Sequence, residues 1–163
     1  MKLAVFTMLV FAAATASAET INITSELTHN GQVVSNFSAG VENGKSQNFR
    51  DVSLVDYTES ATEKAGAVKP KKATLETGFQ MLLVPRITST GDISYQVTAS
   101  NTSLKSMEKS RVGKAVIDVP HTVSNSFTQT RIAKNGESVD FPFGASGTDP
   151  GYVLTIKGSH AQN

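Results

Sequence analysis

Apolar and polar residues alternate with a period of two along most of the chain, the spacing of a half-buried β-strand. Ile21, Ile23 and Leu27 interleave with Asn22, Thr24, Glu26 and Thr28, and Asn30-Gly31 turns the chain into a return strand over 33–41. A second Asn-Gly pair, at 43–44, leads to a weaker strand over 49–57. In "TGFQMLLVPRI", residues 77–87, Phe79, Met81, Leu83 and Ile87 fall on one side and Leu82 and Val84 on the other, which predicts a strand covered on both faces. Pro85 lacks an N–H and marks an edge or a bulge. After a turn containing Gly91, Ile93, Tyr95, Val97 and Ala99 point inward while Ser94, Gln96 and Thr98 point outward. A short strand over 115–119 precedes a predicted hairpin, 127–133 and 138–143, closed by Asn135-Gly136. Type I′ geometry is expected there, because it needs positive φ at both central residues, which Gly adopts freely and Asn better than most. A last strand over 152–157 turns Tyr152, Leu154 and Ile156 inward.

Two stretches break the pattern. Residues 58–74, "TESATEKAGAVKPKKAT", are small, polar and charged, too poor in apolar surface to order themselves, and are predicted to be a mobile loop. Lys69, Lys71 and Lys72 form a basic cluster in it, read as a solvated face, with contact to a partner or to acidic headgroups as the alternative. Residues 101–114 read as a second polar loop. The count is about eight to ten strands, antiparallel because tight turns cannot join parallel neighbours. The expected fold class is all-β, an antiparallel hairpin-rich sandwich or a related β domain, over 19–158, with a flexible tail at 159–163.

The first 18 residues read differently. Lys2, an apolar run over 3–14 and Ala16-Ser17-Ala18 make a cleavable signal peptide, which puts the mature start at Glu19. The run of about 12 residues is too short to span a bilayer as a helix. The chain has no Cys, so there is no disulfide framework and no lipoprotein anchor, which points to the periplasm or outer membrane of a Gram-negative bacterium. Without Lys2, fourteen bases balance fourteen acids, and no global field draws the domain to nucleic acid or anionic lipid.

Candidate chemistry is sparse. His29, His121 and His160 have no second ligand at metal-binding spacing, and Ser146 in "FGASGTD" lacks the spacing of a nucleophile elbow. Acids are scattered and no Gly-rich phosphate loop precedes a helix. No catalytic residue, cofactor or metal is assigned, and an enzyme is not expected.

What the order of elements does carry is a likeness. "GFQMLLVPRITSTGDISYQVTAS" at 78–100 and "PHTVSNSFTQTRIAKNGESVDFPFG" at 120–144 resemble the bacterial secretin family: a Gly, a strand ending near a Pro, a Gly-containing turn, an alternating strand, then a Thr-bearing hairpin ending in Gly. "GQVVSNFSAGVENGKSQNFRDVSLVDYTES", upstream, is similar to the family's earlier segment. The resemblance spans roughly 32–144. It implies a secretin-like core β domain in an outer-membrane secretion or pilus channel, in a short form without the family's N-terminal periplasmic domains. By match, Gly78, Pro85, Gly91, Thr130, Asn135, Gly136, Glu137 and Gly144 would be framework positions. Ala145 departs from the Gly-Gly with which that hairpin normally ends. Partners would be other envelope proteins, or further copies joined through β edges. The alternative is a stand-alone periplasmic β-sandwich: a pilus subunit, an adhesin or a chaperone-like binding module.

Overall fold

A computed structural model describes residues 19–64 and 67–161. The predicted signal peptide lies outside the described residues. Eight strands follow one another: β1 (Thr20–His29), β2 (Gln32–Glu42), β3 (Gln47–Lys64), β4 (Ala67–Ile87), β5 (Ile93–Val112), β6 (Ala115–Ala133), β7 (Ser138–Phe143) and β8 (Tyr152–Ser159). They form two four-stranded sheets, ordered β2-β1-β8-β7 and β3-β4-β5-β6, with every pairing antiparallel. The chain is all-β, in two antiparallel sheets that share one core.

The inward positions of both sheets meet as the alternation predicts. Ile21, Ile23 and Leu27 from β1 and Leu154 and Ile156 from β8 pack against Phe79, Met81 and Leu83 of β4 and Ile93, Tyr95 and Val97 of β5. Phe141 closes the core from β7. Each fully buried apolar side chain of this size stabilises by about 1.5–3 kcal/mol, so this cluster holds the sheets together.

Several expectations are corrected. The strand through residues 77–87 is covered on one face only, for Leu82 is 44% exposed. Its run of apolar residues reads as two-sided burial, although Leu82 and Arg86 face solvent and Val84 is only half-buried. The expected loops at 58–74 and 101–114 are strands over their described residues: β3 and β4 pair from Gln47↔Leu83 to Lys64↔Ala67, and β5 and β6 pair from Ile93↔Ala133 to Val112↔Ala115. These two arms are exposed on both sides over much of their length, so they carry no alternation to read. Their order comes from the ladder itself.

The predicted hairpin at Asn135-Gly136 is not one. β6 belongs to one sheet and β7 to the other, where its partner is β8. Asn43-Gly44 likewise carries the chain from β2 across to β3. Only Asn30-Gly31 joins paired strands, and only there are both φ values positive, 53° and 74°. At 135–136 positive φ is confined to Gly136, at 84°, and the Glu137 amide donates to the Lys134 carbonyl at 2.9 Å. A positive φ at the second central residue alone belongs to a type II turn, not to type I′. Asn-Gly marks a reversal in each case, but says nothing about which sheet receives the next strand.

Pro85 shows why a proline is tolerated in a strand that lies between two others. β3 reaches only Leu83, so residue 85 stands past its end, on a locally open edge. The Pro85 carbonyl accepts from the Gly44 amide at 2.7 Å on that side, and no ladder donor is missed. Of the expected tail at 159–163, residues 162–163 lie outside the described residues and the first two positions are held in place. Ser159 completes β8, and the His160 side chain is only 5% exposed.

Candidate interaction surface

Two ends of the sandwich gather nearly all the positions singled out in the sequence. At one end lie the N-terminus of β1, the Thr88–Asp92 turn and both sheet crossings. The Gly91 amide donates to Thr88 (3.0 Å), and the Gly91 carbonyl accepts from His160 Nε2 (2.9 Å). His160 Nδ1 lies 2.8 Å from Glu19 Oε1 and 3.0 Å from the Ala161 carbonyl. Asn135 brackets the His160 backbone, and the Gly136 amide donates to the Gly158 carbonyl at 2.9 Å. With acceptors facing both ring nitrogens, His160 is held above its ordinary pKa, first by the Gly91 carbonyl, then by the Ala161 carbonyl and Glu19. Glu137 follows the crossing with its side chain exposed.

At the opposite end the arms leave the sandwich. Gly78 has φ of 116°, and a Cβ there would lie 2.3 Å from the Asp51 carbonyl oxygen. Gly144, at φ 73°, would place a Cβ 2.8 Å from Asn125. A cleft of about 450 Å³ opens beside this point, lined by Leu27, Asp51, Thr77, Phe79, Asn101 and Tyr152. Thr130 stands apart from both ends, exposed on β6 opposite Gln96.

Each histidine meets a carboxylate that is distant or only moderately near in sequence: His29 with Asp149 at 3.0 Å, His160 with Glu19 at 2.8 Å and His121 with Glu108 at 3.5 Å. No motif announces these pairs, because the sheet pairings create them. The Gly151 amide, followed by His29, holds the Asp149 carboxyl below its usual range. Among the described residues, no group of three or more His, Cys, Asp or Glu lies close enough to hold a metal ion. Ser146 sits in the β7–β8 connection, its backbone amide and carbonyl bonded to those of Asp149 at 3.1 and 2.9 Å.

The longest strands of the molecule lie in the second sheet. β4 is 21 residues, roughly 70 Å of extended chain. β4 and β5 pair only from Ile87↔Ile93 to Gly78↔Thr102. Beyond that the two hairpin arms part at this seam and meet again on their other sides, β3 against β6. A register shift at Thr58/Ser60 leaves Glu59 unpaired, and the Thr58 amide beside it donates to Asp118 Oδ2 of β6 at 2.8 Å. Nearer the tips, Lys114 Nζ lies 3.6 Å from Glu63 Oε1. β3 and β6, 18 and 19 residues long, each have only one ladder partner among the described residues. Unpaired edges recruit strands, and natural edges are usually blunted by charge or proline. β7 is short and carries Pro142, whereas the 121–130 stretch of β6, "HTVSNSFTQT", has neither Pro nor a carboxylate.

No protein-family model matches this chain, and no curated protein matches it. Among solved structures, it is similar to the InvG secretin domain β-barrel from the Salmonella SPI-1 injectisome NC-base, at 11% identity and a TM-score of 0.53, over 90% of this chain and 64% of that one. A near-atomic cryo-EM structure of the Salmonella SPI-1 type III secretion injectisome secretin InvG aligns over 90% of this chain and 62% of that one, at 10% identity and a TM-score of 0.48. The first likeness shows a secretin-like fold, and this chain spans less than two thirds of the domain it resembles.

Proposed function

We propose that this protein is a non-enzymatic component or accessory of an outer-membrane secretion or pilus machine. It is exported through a cleaved signal at 1–18 and acts in the periplasm or outer membrane. Its working surface is the pair of long edges, β3 and β6, which add strands from other envelope proteins or from further copies. The observation that carries this reading is the four-stranded sheet with two long, singly paired edges. The fold likeness to a secretin barrel domain supports it. The framework positions Gly78, Pro85, Gly91, Asn135, Gly136 and Gly144 then serve to hold the sandwich from which the arms project, with Thr130 and Glu137 on its surface.

The test is size. A detergent extract of the envelope should contain the protein in assemblies far above its 17.3 kDa. With Ser53→Cys on β3 and Ser126→Cys on β6, mild oxidation should link neighbouring copies or trap a partner, in a chain that otherwise has no cysteine. A monomer under both conditions would defeat the reading.

One observation favours the alternative of a stand-alone sandwich. The Thr58–Asp118 and Lys114–Glu63 contacts let a single copy close its own arms together. That form would run as a monomer in buffer. A donor-strand pilin fits less well, since β1 is already paired on both sides, by β2 and β8.

A further inference from the structure

The overall neutrality of the mature chain conceals a strong separation of charge. The arm segments 58–72 and 104–121 hold eight Lys and Arg against four Asp and Glu. The rest of residues 19–163 holds six against ten. The outer part of the arms is therefore basic by four charges; of the ten acids outside it, Asp56 and Glu76 lie at the base of one arm and the other eight in the sandwich, where six bases face them. The fold creates this separation. The two arms are far apart in sequence, and the Thr58–Asp118 and Lys114–Glu63 contacts hold them at one height. Register then sets Lys72, opposite Thr58, level with Lys109, opposite Asp118. Lys69 and Arg111 lie nearer the tips, opposite Thr62 and Val116. Among the described residues, Glu59 pairs with Lys71 and Glu63 with Lys114, while no carboxylate pairs with Lys69, Lys72, Lys109 or Arg111.

We propose that the joined arm tips form a docking surface for anionic phospholipid headgroups. The charge calls for an anionic partner, and the shape and composition select among such partners. These cations stand exposed along the outer arms, while the principal clefts lie around the sandwich and the bases of the arms. That suits a plane of phosphates rather than a single phosphorylated peptide, which needs a pocket. Neither segment contains Phe, Tyr or Trp, so nothing there stacks on bases or anchors at the acyl boundary. Exposed Val68 and Val116 are small. The contact is therefore electrostatic and confined to headgroups, and it does not depend on assembly of the long edges.

The protein, expressed whole and recovered after export, is tested by flotation with vesicles of phosphatidylglycerol and phosphatidylethanolamine, and with vesicles of phosphatidylcholine alone. It should float with the first and not the second, and release on raising NaCl from about 0.1 M to about 0.5 M, as screening shortens the reach of the charges. Each basic side chain near an anionic surface contributes a factor of about five. The K69Q/K72Q/K109Q/R111Q variant should therefore bind several-hundredfold more weakly while melting like the parent. The K45Q/R86Q/K134Q/K157Q variant removes the same charge from the sandwich and should lose far less. Equal flotation with phosphatidylcholine, equal losses in the two variants, or tighter binding to polyglutamate or duplex DNA than to the anionic vesicles would each overturn the proposal.

Discussion

The Asn135 side chain grips the His160 backbone on both of its polar groups: Nδ2 donates to the His160 carbonyl at 3.0 Å, and Oδ1 accepts from the His160 amide at 3.0 Å. A side-chain amide here stands in for a strand, satisfying backbone groups past the end of β8. Each such bond contributes about 1 kcal/mol net. Asn135→Ala should therefore cost about 2 kcal/mol and lower the melting temperature by about 4–8 °C for a domain of this size. Asn135→Asp keeps only the acceptor and should fall between. Equal melting of all three proteins would show that this amide does not hold the chain end.

The neighbouring imidazole makes stability depend on pH. Folding raises the His160 pKa above its ordinary 6.5, because the Gly91 carbonyl, the Ala161 carbonyl and Glu19 favour the protonated ring over a smaller opposing effect of burial. The stabilisation is complete below 6.5, where folded and unfolded rings both carry the proton, and is lost as pH rises through the folded value. Thermal melts should accordingly show lower stability at about pH 8.5 than at about pH 6. His160→Gln should flatten that slope. Asp149 acts in a different window: its folded pKa is lowered from 3.8, so its contribution disappears only in acid, below that value.

Gly78 and Gly91 both have positive φ, 116° and 82°, but different surroundings. A Cβ at 91 meets nothing within 4 Å, whereas at 78 it would sit 2.3 Å from the Asp51 carbonyl and 3.0 Å from Val52 Cα. Gly91→Ala should cost about 1 kcal/mol, the strain of the backbone alone. Gly78→Ala adds a clash with a neighbouring strand and should cost about 3 kcal/mol or more. Denaturant melts of the two variants that gave the same midpoint would contradict the close approach of β3 to β4.

Asp118 holds the Thr58 amide on the free edge of β3. Asp118→Ala should release that donor. Hydrogen exchange at Thr58 should then accelerate at least tenfold, and on the proposed function the freed edge should shift the protein towards larger assemblies. Unchanged exchange would remove the arm-to-arm contact from the account. Faster exchange without a change in size would favour the stand-alone form.

How much of this was legible in advance varies by residue. Ile21, Ile23, Tyr95, Val97, Leu154 and Ile156 announced their burial by alternation, because a strand with one wet face has no other way to be written. The arms gave no such signal. Around Lys69–Lys72 and Lys105–Lys109 most positions face solvent, so polarity looked like a loop although every backbone position there but Lys105 is paired. The residues that join the molecule across space, His160 with Glu19 and Thr58 with Asp118, are separated by 141 and 60 positions and carry no local mark.

Local chemistry settled what could be settled locally: antiparallel β structure, the inward face of each core strand, and the places where the chain must reverse. Those depend on dihedral limits and on a period of two, which neighbours in sequence control. The assignment of β6 and β7 to different sheets, the joining of the two arms and the concentration of positive charge at their tips came only with tertiary structure. Each depends on which of several equally suitable edges a strand finds, and that choice is made by burying one shared core.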